Sequence, residues 1–329
     1  MSESARILIV KTSSLGDVVH ALPAISDIVA AHPGARIDWV CEEGFAGIPA
    51  LHPGVTRVIP CAIRRWRRSW LAADTRAEIA RFREMLHEAK YAIAIDFQGL
   101  IKSAWIARNA DAVRHGYAWG SAREPLATLA YDRRHRIAWG QHAIARNRQL
   151  AAAALGYSLP GPVRYGVVSP PATASGAHCV VVLHSTSRAD KLWPEASWRE
   201  AIGRWSSAGL SIVLPWGDAR ERERSERLAG GVVAARVPEW MDTPALSALF
   251  AGARAVVGVD TGLVHLAVAS GASTISIFGP TDPALTGVIA DRAPAVNVGG
   301  NGAVPDVDDV DAAVQRLLAP PATRRPAWP

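Results

Sequence analysis

Short runs of β-branched and aliphatic residues recur along this chain, each followed by a longer stretch in which apolar positions return every three or four residues. The runs RILIV (6–10), RIDWVC (36–41), TRVIPC (56–61) and YAIAID (91–96) predict strands, and 18–31, 75–89 and 142–156 predict helices. The rhythm restarts at HCVVVLHS (178–185) and continues through LSIVLPW (210–216), RAVVGVD (254–260) and STISIFG (273–279). Helical segments at 195–208, 218–228, 243–252 and 262–270 separate these strands. Alternation of this kind implies βαβ units, parallel sheets and an α/β fold. Between the two series lies GYSLPGPVRYGVVSPPATASGA (156–177), rich in proline and glycine and without periodicity. Two similar domains are therefore expected, 1–160 and 178–329, joined by a linker at 161–177, with a helix and the proline-rich stretch PPATRRPAWP closing the second.

Composition narrows the class. Of 329 residues, 49% are hydrophobic and 20% charged, the balance of a folded globular chain. The opening MSESAR is polar and runs straight into a strand, so no secretory leader is expected. No apolar run approaches the roughly 20 residues that cross a bilayer. A cytoplasmic location follows as the expectation. Cys41, Cys61 and Cys179 lack the close spacing of zinc or redox pairs and are expected to be buried small hydrophobes. The net charge of +6 is unevenly spread: residues 1–165 carry 22 Lys and Arg against 14 Asp and Glu, and residues 166–329 carry 14 against 16. The first half is thus expected to meet something anionic.

In an open parallel sheet ligands bind beyond the carboxyl ends of the strands, which directs attention to the segments that follow them. In KTSSLGDVVHALPA (11–24), Asp17 is either a helix cap or a catalytic carboxylate, and its spacing does not separate the two. In VGVDTGLVHLA (257–267) a helix start at Gly262 offers unpaired N–H groups to a pyrophosphate, with Thr261 and His265 as added donors. The alternative has Asp260 capping the helix and His265 packing beneath it. HSTSRADKLWPEASW (184–198) places Thr186, Ser187, Arg188 and Lys191 on one loop, either a diphosphate site or a solvated turn. Glu221 in LPWGDARERERSE (214–226) either accepts from a ribose diol or belongs to a solvated helix face. IRRWRRSW (63–70) gathers Arg64, Arg65, Arg67 and Arg68 around Trp66, and Arg133, Arg134 and Arg136 flank His135. Both clusters suit anions. The acids of DVDDVDAAVQRLL (306–318) fit the start of a helix, and with no ligand-spaced cluster elsewhere no metal is expected. Neither a dinucleotide-binding glycine fingerprint nor a Walker lysine motif is present.

Taken in order, KTSSLGDVVHALPA, IDFQGLIKSA (95–104), HSTSRADKLWPE (184–195), LPWG (214–217) and GVDTGLVHLA (258–267) resemble the lipopolysaccharide heptosyltransferases of glycosyltransferase family 9, over about residues 6–283. The resemblance implies a GT-B architecture, two Rossmann-like parallel-sheet domains facing across a central cleft, with the acceptor on the first and the sugar nucleotide on the second. It implies inverting transfer of L-glycero-D-manno-heptose from ADP-heptose to the first Kdo of Kdo2-lipid A, peripherally at the cytoplasmic face of a Gram-negative inner membrane. Acceptor carboxylates and phosphates, and an anionic membrane surface, would account for the basic first half. The Lys-Thr-Ser-Ser lead favours this acceptor over the already heptosylated one used by a related family 9 enzyme.

Carried over by motif, Asp17 is the implied general base and Lys191, with Thr186 and Ser187, binds the diphosphate. Asp260 would contact the heptose, Thr261, Gly262 and His265 the diphosphate, Glu221 the ribose and Met241 the adenine side. On the acceptor side stand Ser13, Ser14 and Gln98, with Arg64, Arg65, Arg67 and Arg68 on charge alone. A monomer is expected, with no cofactor and no obligatory metal beside the substrate ADP-heptose, and no nucleic-acid partner. The competing reading, a noncatalytic nucleotide- or nucleic-acid-binding module, leaves the donor-side loops unexplained.

Overall fold

The computed structural model describes residues 5–171 and 179–319. Most of the second part of the expected linker, 172–177, and the tail 320–329 lie outside the described residues. The first strands are β1 (Arg6–Val10), β2 (Arg36–Glu42), β3 (Val55–Cys61), β4 (Ile93–Asp96), β5 (Val113–Tyr117) and β6 (Arg133–His135). They form a parallel sheet in the order β3-β2-β1-β4-β5-β6. The later strands are β7 (Cys179–Leu183), β8 (Ser211–Val213), β9 (Ala235–Arg236), β10 (Ala255–Val259), β11 (Thr274–Phe278) and β12 (Ala295–Gly299). Their order, β12-β11-β10-β7-β8-β9, repeats the first sheet's pattern. Each half is a doubly wound α/β unit, and the pair has the GT-B arrangement.

With the first sheet run α1 (Leu15–Val19), α2 (Leu22–Ala31), α3 (Gly47–Ala50), α4 (Ile63–Trp66), α5 (Ala73–Glu88), α6 (Ile101–Arg108) and α7 (Ala143–Leu155). With the second run α8 (Glu195–Ser207), α9 (Ala219–Ala229), α10 (Thr243–Gly252), α11 (Gly262–Ala269), α12 (Pro283–Thr286) and α13 (Val307–Leu318). The run ILIV (7–10) is apolar throughout because both of its faces are covered. Ile7 and Ile9 enter one core cluster, Leu8 and Val10 another. In β7, Val181 and Leu183 face the same cluster as Ile9, while Val180 and Val182 pack outward against Trp198 and Trp205 of α8. One apolar cluster is therefore shared by the two halves. Cys41, Cys61 and Cys179 are buried, as expected.

Periodicity missed α6 and the strands β5, β6, β9 and β12. Arg133 and His135 belong to the edge strand β6, whose charged sequence hides its β character, and His135 pairs with His115 at 3.0 Å. The strand β9 has only two residues.

A buried ion pair ties the first half to the segment that leaves it. Arg148 of α7 donates to both oxygens of Asp27 in α2, at 2.7 and 3.1 Å, and also to the carbonyls of Pro160 and Gly161. The helix α7 ends at Gly156, whose φ of 72° is left-handed. Asp27→Ala strands a guanidinium that is only 7% exposed, and urea unfolding should show a loss of about 3–5 kcal/mol. A loss below about 1 kcal/mol would mean that the pair is not a structural tie.

Candidate active site

In each sheet the strand order reverses beside its first strand, between β1 and β4 and between β7 and β10. Crevices at the carboxyl ends of such neighbours are the ligand sites of open α/β sheets. Here both crevices are furnished.

At the first, the loop after β1 meets the loop after β4. Gln98 is buried and its amide is committed to the chain: Oε1 accepts from Thr12 N–H (3.1 Å) and Ser13 N–H (3.3 Å), and Nε2 donates to Ser13 O (2.6 Å). Asp96 braces this from below, accepting from the backbone N–H of Gln98 and Gly99 and from the hydroxyls of Ser103 and Tyr131. Burial raises the Asp96 carboxyl above its ordinary range, and these four donors oppose that rise. Lys102 donates to Ser13 Oγ at 2.9 Å. Gln98 and Ser13, expected on the acceptor side, are thus largely occupied in holding the loop that leads to Asp17.

Ser14 caps α1, and Asp17 stands at the third helical position, closing a capping box: its Oδ2 accepts from Ser14 N–H (3.0 Å) and Ser14 Oγ (3.2 Å). Its Oδ1 lies 3.8 Å from Lys11 Nζ, and its side chain is 30% exposed. Capping and an open carboxylate coexist in one residue. Burial pulls the Lys11 ammonium below the ordinary lysine range, against the pull of Asp17 and Asp96. Asp17 lines a cavity of about 330 Å³ with Lys11, Gln98, Arg123, Arg146 and Trp139. Arg123 and Arg146 escaped the sequence reading because neither falls in one of the motifs or basic clusters singled out, and only the fold brings them to Asp17.

At the second crevice Lys191 Nζ donates to Asp260 Oδ2 at 2.6 Å, and Thr281 Oγ1 donates to the same oxygen at 2.6 Å. Thr186 Oγ1 donates to the Asp260 carbonyl. The N-cap of α11 is Thr261, with no side-chain capping bond, so Asp260 is not the cap and the first amides of the helix remain open to an anion. A cavity of about 800 Å³ is lined by Thr186, Ser187, Glu221, Met241 and Thr261, together with Trp216, Trp240 and, from the first half, Leu15 and Phe45. Glu221 Oε2 accepts from Gly217 N–H at 2.7 Å. A lining that combines the hydroxyl residues Thr186, Ser187 and Thr261 with Trp216, Trp240 and Met241 suits a phosphorylated ligand with an aromatic base. His265 lies away from this lining, 3% exposed, with Nδ1 3.2 Å from His20 Nε2.

The two crevices touch. A Cβ on Gly262 would lie 2.7 Å from Leu15 Cβ and 2.8 Å from the Gly16 nitrogen, so only glycine lets the start of α11 approach α1 this closely. Asp17 follows Gly16 directly.

The arginines stand apart. Arg65 is engaged by Glu43 and Glu78, and Arg64 lies over the Phe45 ring. Arg67 lines a groove with Trp66, Trp70, Trp105 and Lys102. Arg65 is therefore neutralised within its own half, while Arg67 and Arg68 are exposed. Among the described residues no group of three His, Cys, Asp or Glu side chains is arranged to hold a metal ion.

Two matched α/β units with a nucleotide-sized cavity between them are the framework of a GT-B glycosyltransferase. Residues 79–315 match the model of glycosyltransferase family 9 (heptosyltransferase), and the chain belongs to that family. It is an enzyme of the glycosyltransferase class. The chain is 49% identical to lipopolysaccharide heptosyltransferase 1 of Escherichia coli strain K12 over 289 residues, 86% of this chain and 90% of that protein. It is 50% identical to lipopolysaccharide heptosyltransferase 1 of Pseudomonas aeruginosa over 286 residues, 86% of this chain and 81% of that one. Among solved structures it resembles E. coli heptosyltransferase WaaC with ADP, with a TM-score of 0.88 and 45% identity, covering 94% of this chain and 99% of that one. E. coli heptosyltransferase II, at 18% identity and a TM-score of 0.76, shares the fold.

Proposed function

We propose that this chain transfers L-glycero-D-manno-heptose from ADP-heptose to the first Kdo of Kdo2-lipid A, with inversion and without a metal, at the cytoplasmic face of the inner membrane. The observation that carries the reading is the Asp17 carboxylate, held open at the point where the acceptor-side cavity meets the start of α11. Support for the donor comes from the similarity to WaaC, a relative solved with ADP-2-deoxy-2-fluoro heptose at a TM-score of 0.85 and 44% identity. Support for the acceptor comes from Arg123, Arg146 and Lys11 around Asp17, a setting for carboxylates and phosphates. Among the described residues no helix is long and apolar enough to cross a membrane, which fits peripheral attachment through the substrate.

In this mechanism Asp17 takes the proton of the acceptor hydroxyl as its oxygen attacks the anomeric carbon. The bond from that carbon to the diphosphate oxygen breaks on the opposite face, and ADP leaves. A sugar hydroxyl is too weak an acid to ionise beforehand, so proton removal accompanies attack. Lys191 and the open amides of α11 offset the charge that gathers on the diphosphate.

Mass spectrometry of a reaction with ADP-heptose and either Kdo2-lipid A or its monoheptosylated product tests the assignment. A gain of one heptose is expected on Kdo2-lipid A alone. A gain only on the heptosylated acceptor would reassign the chain to the next step, and no gain on either would overturn the acceptor class.

A further inference from the structure

Two histidine contacts cross the seam between the halves. The first joins His20, at the end of α1, to His265 of α11: the ring nitrogens are 3.2 Å apart and the ring centroids 4.3 Å. The second joins His142, at the start of α7, to the carbonyl of Gly287 after α12, with Nε2 at 2.9 Å from the oxygen. His142 Nδ1 accepts from Ile144 N–H at 3.1 Å, so its hydrogen must sit on Nε2 and the ring is neutral. His142 also meets His20 edge-on at 5.5 Å. The backbone carbonyl of His20 accepts from Asn147 of α7 at 3.0 Å, which ties the ends of α1 and α7 together. None of the three rings lines either cavity, and His20 stands one helical turn beyond the Gly16 to Gly262 approach.

We propose that His20, His265 and His142 form a clasp that holds the Asp17 helix against the donor helix, with His20 and His142 acting as positioning residues for the transfer. A neutral pair needs one shared hydrogen: one ring nitrogen donates and the other accepts. Protonating both rings leaves a hydrogen on each facing nitrogen, which removes the bond and sets two cations side by side. The inference rests on Asp17 being the acceptor-side base, because that is the group the clasp places.

The surroundings favour the neutral form. His20 faces His265, His142 and the Lys11 ammonium, and burial is the largest influence lowering its proton affinity. His265 is pulled down to about 4, chiefly by burial, with His142 and Lys191 adding to the fall and Asp260 and Asp17 opposing it. Burial lowers His142 as well, while its bond to Gly287 opposes this. A histidine whose proton affinity is depressed in the closed form stabilises that form fully above the ordinary imidazole value of about 6.5. The contribution is lost as pH falls from there toward 4. The clasp should thus be engaged at neutral pH and release on acidification.

Two variants separate positioning from packing. His20→Leu fills the space without a ring nitrogen; His20→Gln keeps a hydrogen-bonding group for His265 and cannot titrate in this range. At pH 7.5, His20→Leu should lower kcat about 10- to 100-fold with the ADP dissociation constant unchanged, since a displaced base slows the chemistry without touching the donor pocket. His20→Gln should recover most of that loss. Small-angle scattering reads the clasp with no acceptor present: the radius of gyration of the wild type should rise between pH 7.5 and 5.0, and that of His20→Gln should rise less. If His20→Leu matches the wild type in kcat and in scattering at both pH values, the proposal is overturned. If the wild type transfers no heptose yet its scattering shift depends on His20, the clasp stands and the acceptor assignment is what fails.

Discussion

Asp17→Asn is expected to lower kcat by about 10²–10⁴-fold while leaving donor affinity near that of the wild type. The size follows from losing positioned proton removal from a weakly acidic hydroxyl. The selectivity follows from the local geometry. An asparagine side-chain oxygen can accept from Ser14 N–H and Ser14 Oγ as Asp17 Oδ2 does, so the capping box survives and stability should change by less than about 1 kcal/mol. Steady-state kinetics, ADP titration and a thermal melt on one preparation decide the matter. An Asn variant with near-normal kcat would reduce Asp17 to its capping role.

Lys191→Met is expected to lower kcat by about 10²–10³-fold, the usual cost of removing one preorganised group from developing charge. It should also destabilise the protein. Asp260 is 6% exposed and its Oδ2 receives both the Lys191 ammonium and the Thr281 hydroxyl, so removing the cation leaves a buried carboxylate with one neutral donor. The expected cost is on the order of 3 kcal/mol. Adding Asp260→Asn relieves the stranded charge, and the double variant should regain stability without regaining kcat. Recovery of both would show that Lys191 acts on catalysis only by keeping Asp260 in place. Activity that withstands EDTA is expected throughout, because the ammonium and the helix amides supply the positive charge in this mechanism.

Much of this protein is legible along the chain. The central strands read clearly because burial on both faces demands unbroken apolar runs, as in ILIV and CVVVL. The edge strands β6 and β9 did not, since Arg133 and Arg134 are exposed on β6, and two residues carry no period. The loops after β7 and β10 stood out as candidates for a related reason: Thr186, Lys191, Asp260 and Thr261 all follow strand ends, where open α/β sheets bind ligands. Two expectations changed on folding. Gln98 stood in a matching motif and proved to be bonded on both sides of its amide to the Asp17 loop. Arg65, one of four clustered arginines, is bound by Glu43 and Glu78.

By itself the sequence determined the α/β class, the two matched series of strands, the basic first half and the motifs of the family, because these depend on local period, composition and order. Only the tertiary structure decided how the halves meet. It set Gly262 against Gly16, brought Arg123 and Arg146 to Asp17, and paired His20 with His265 across the seam. Those contacts join residues far apart in the chain, and no local pattern encodes them; they arise when two sheets bury one apolar cluster between them.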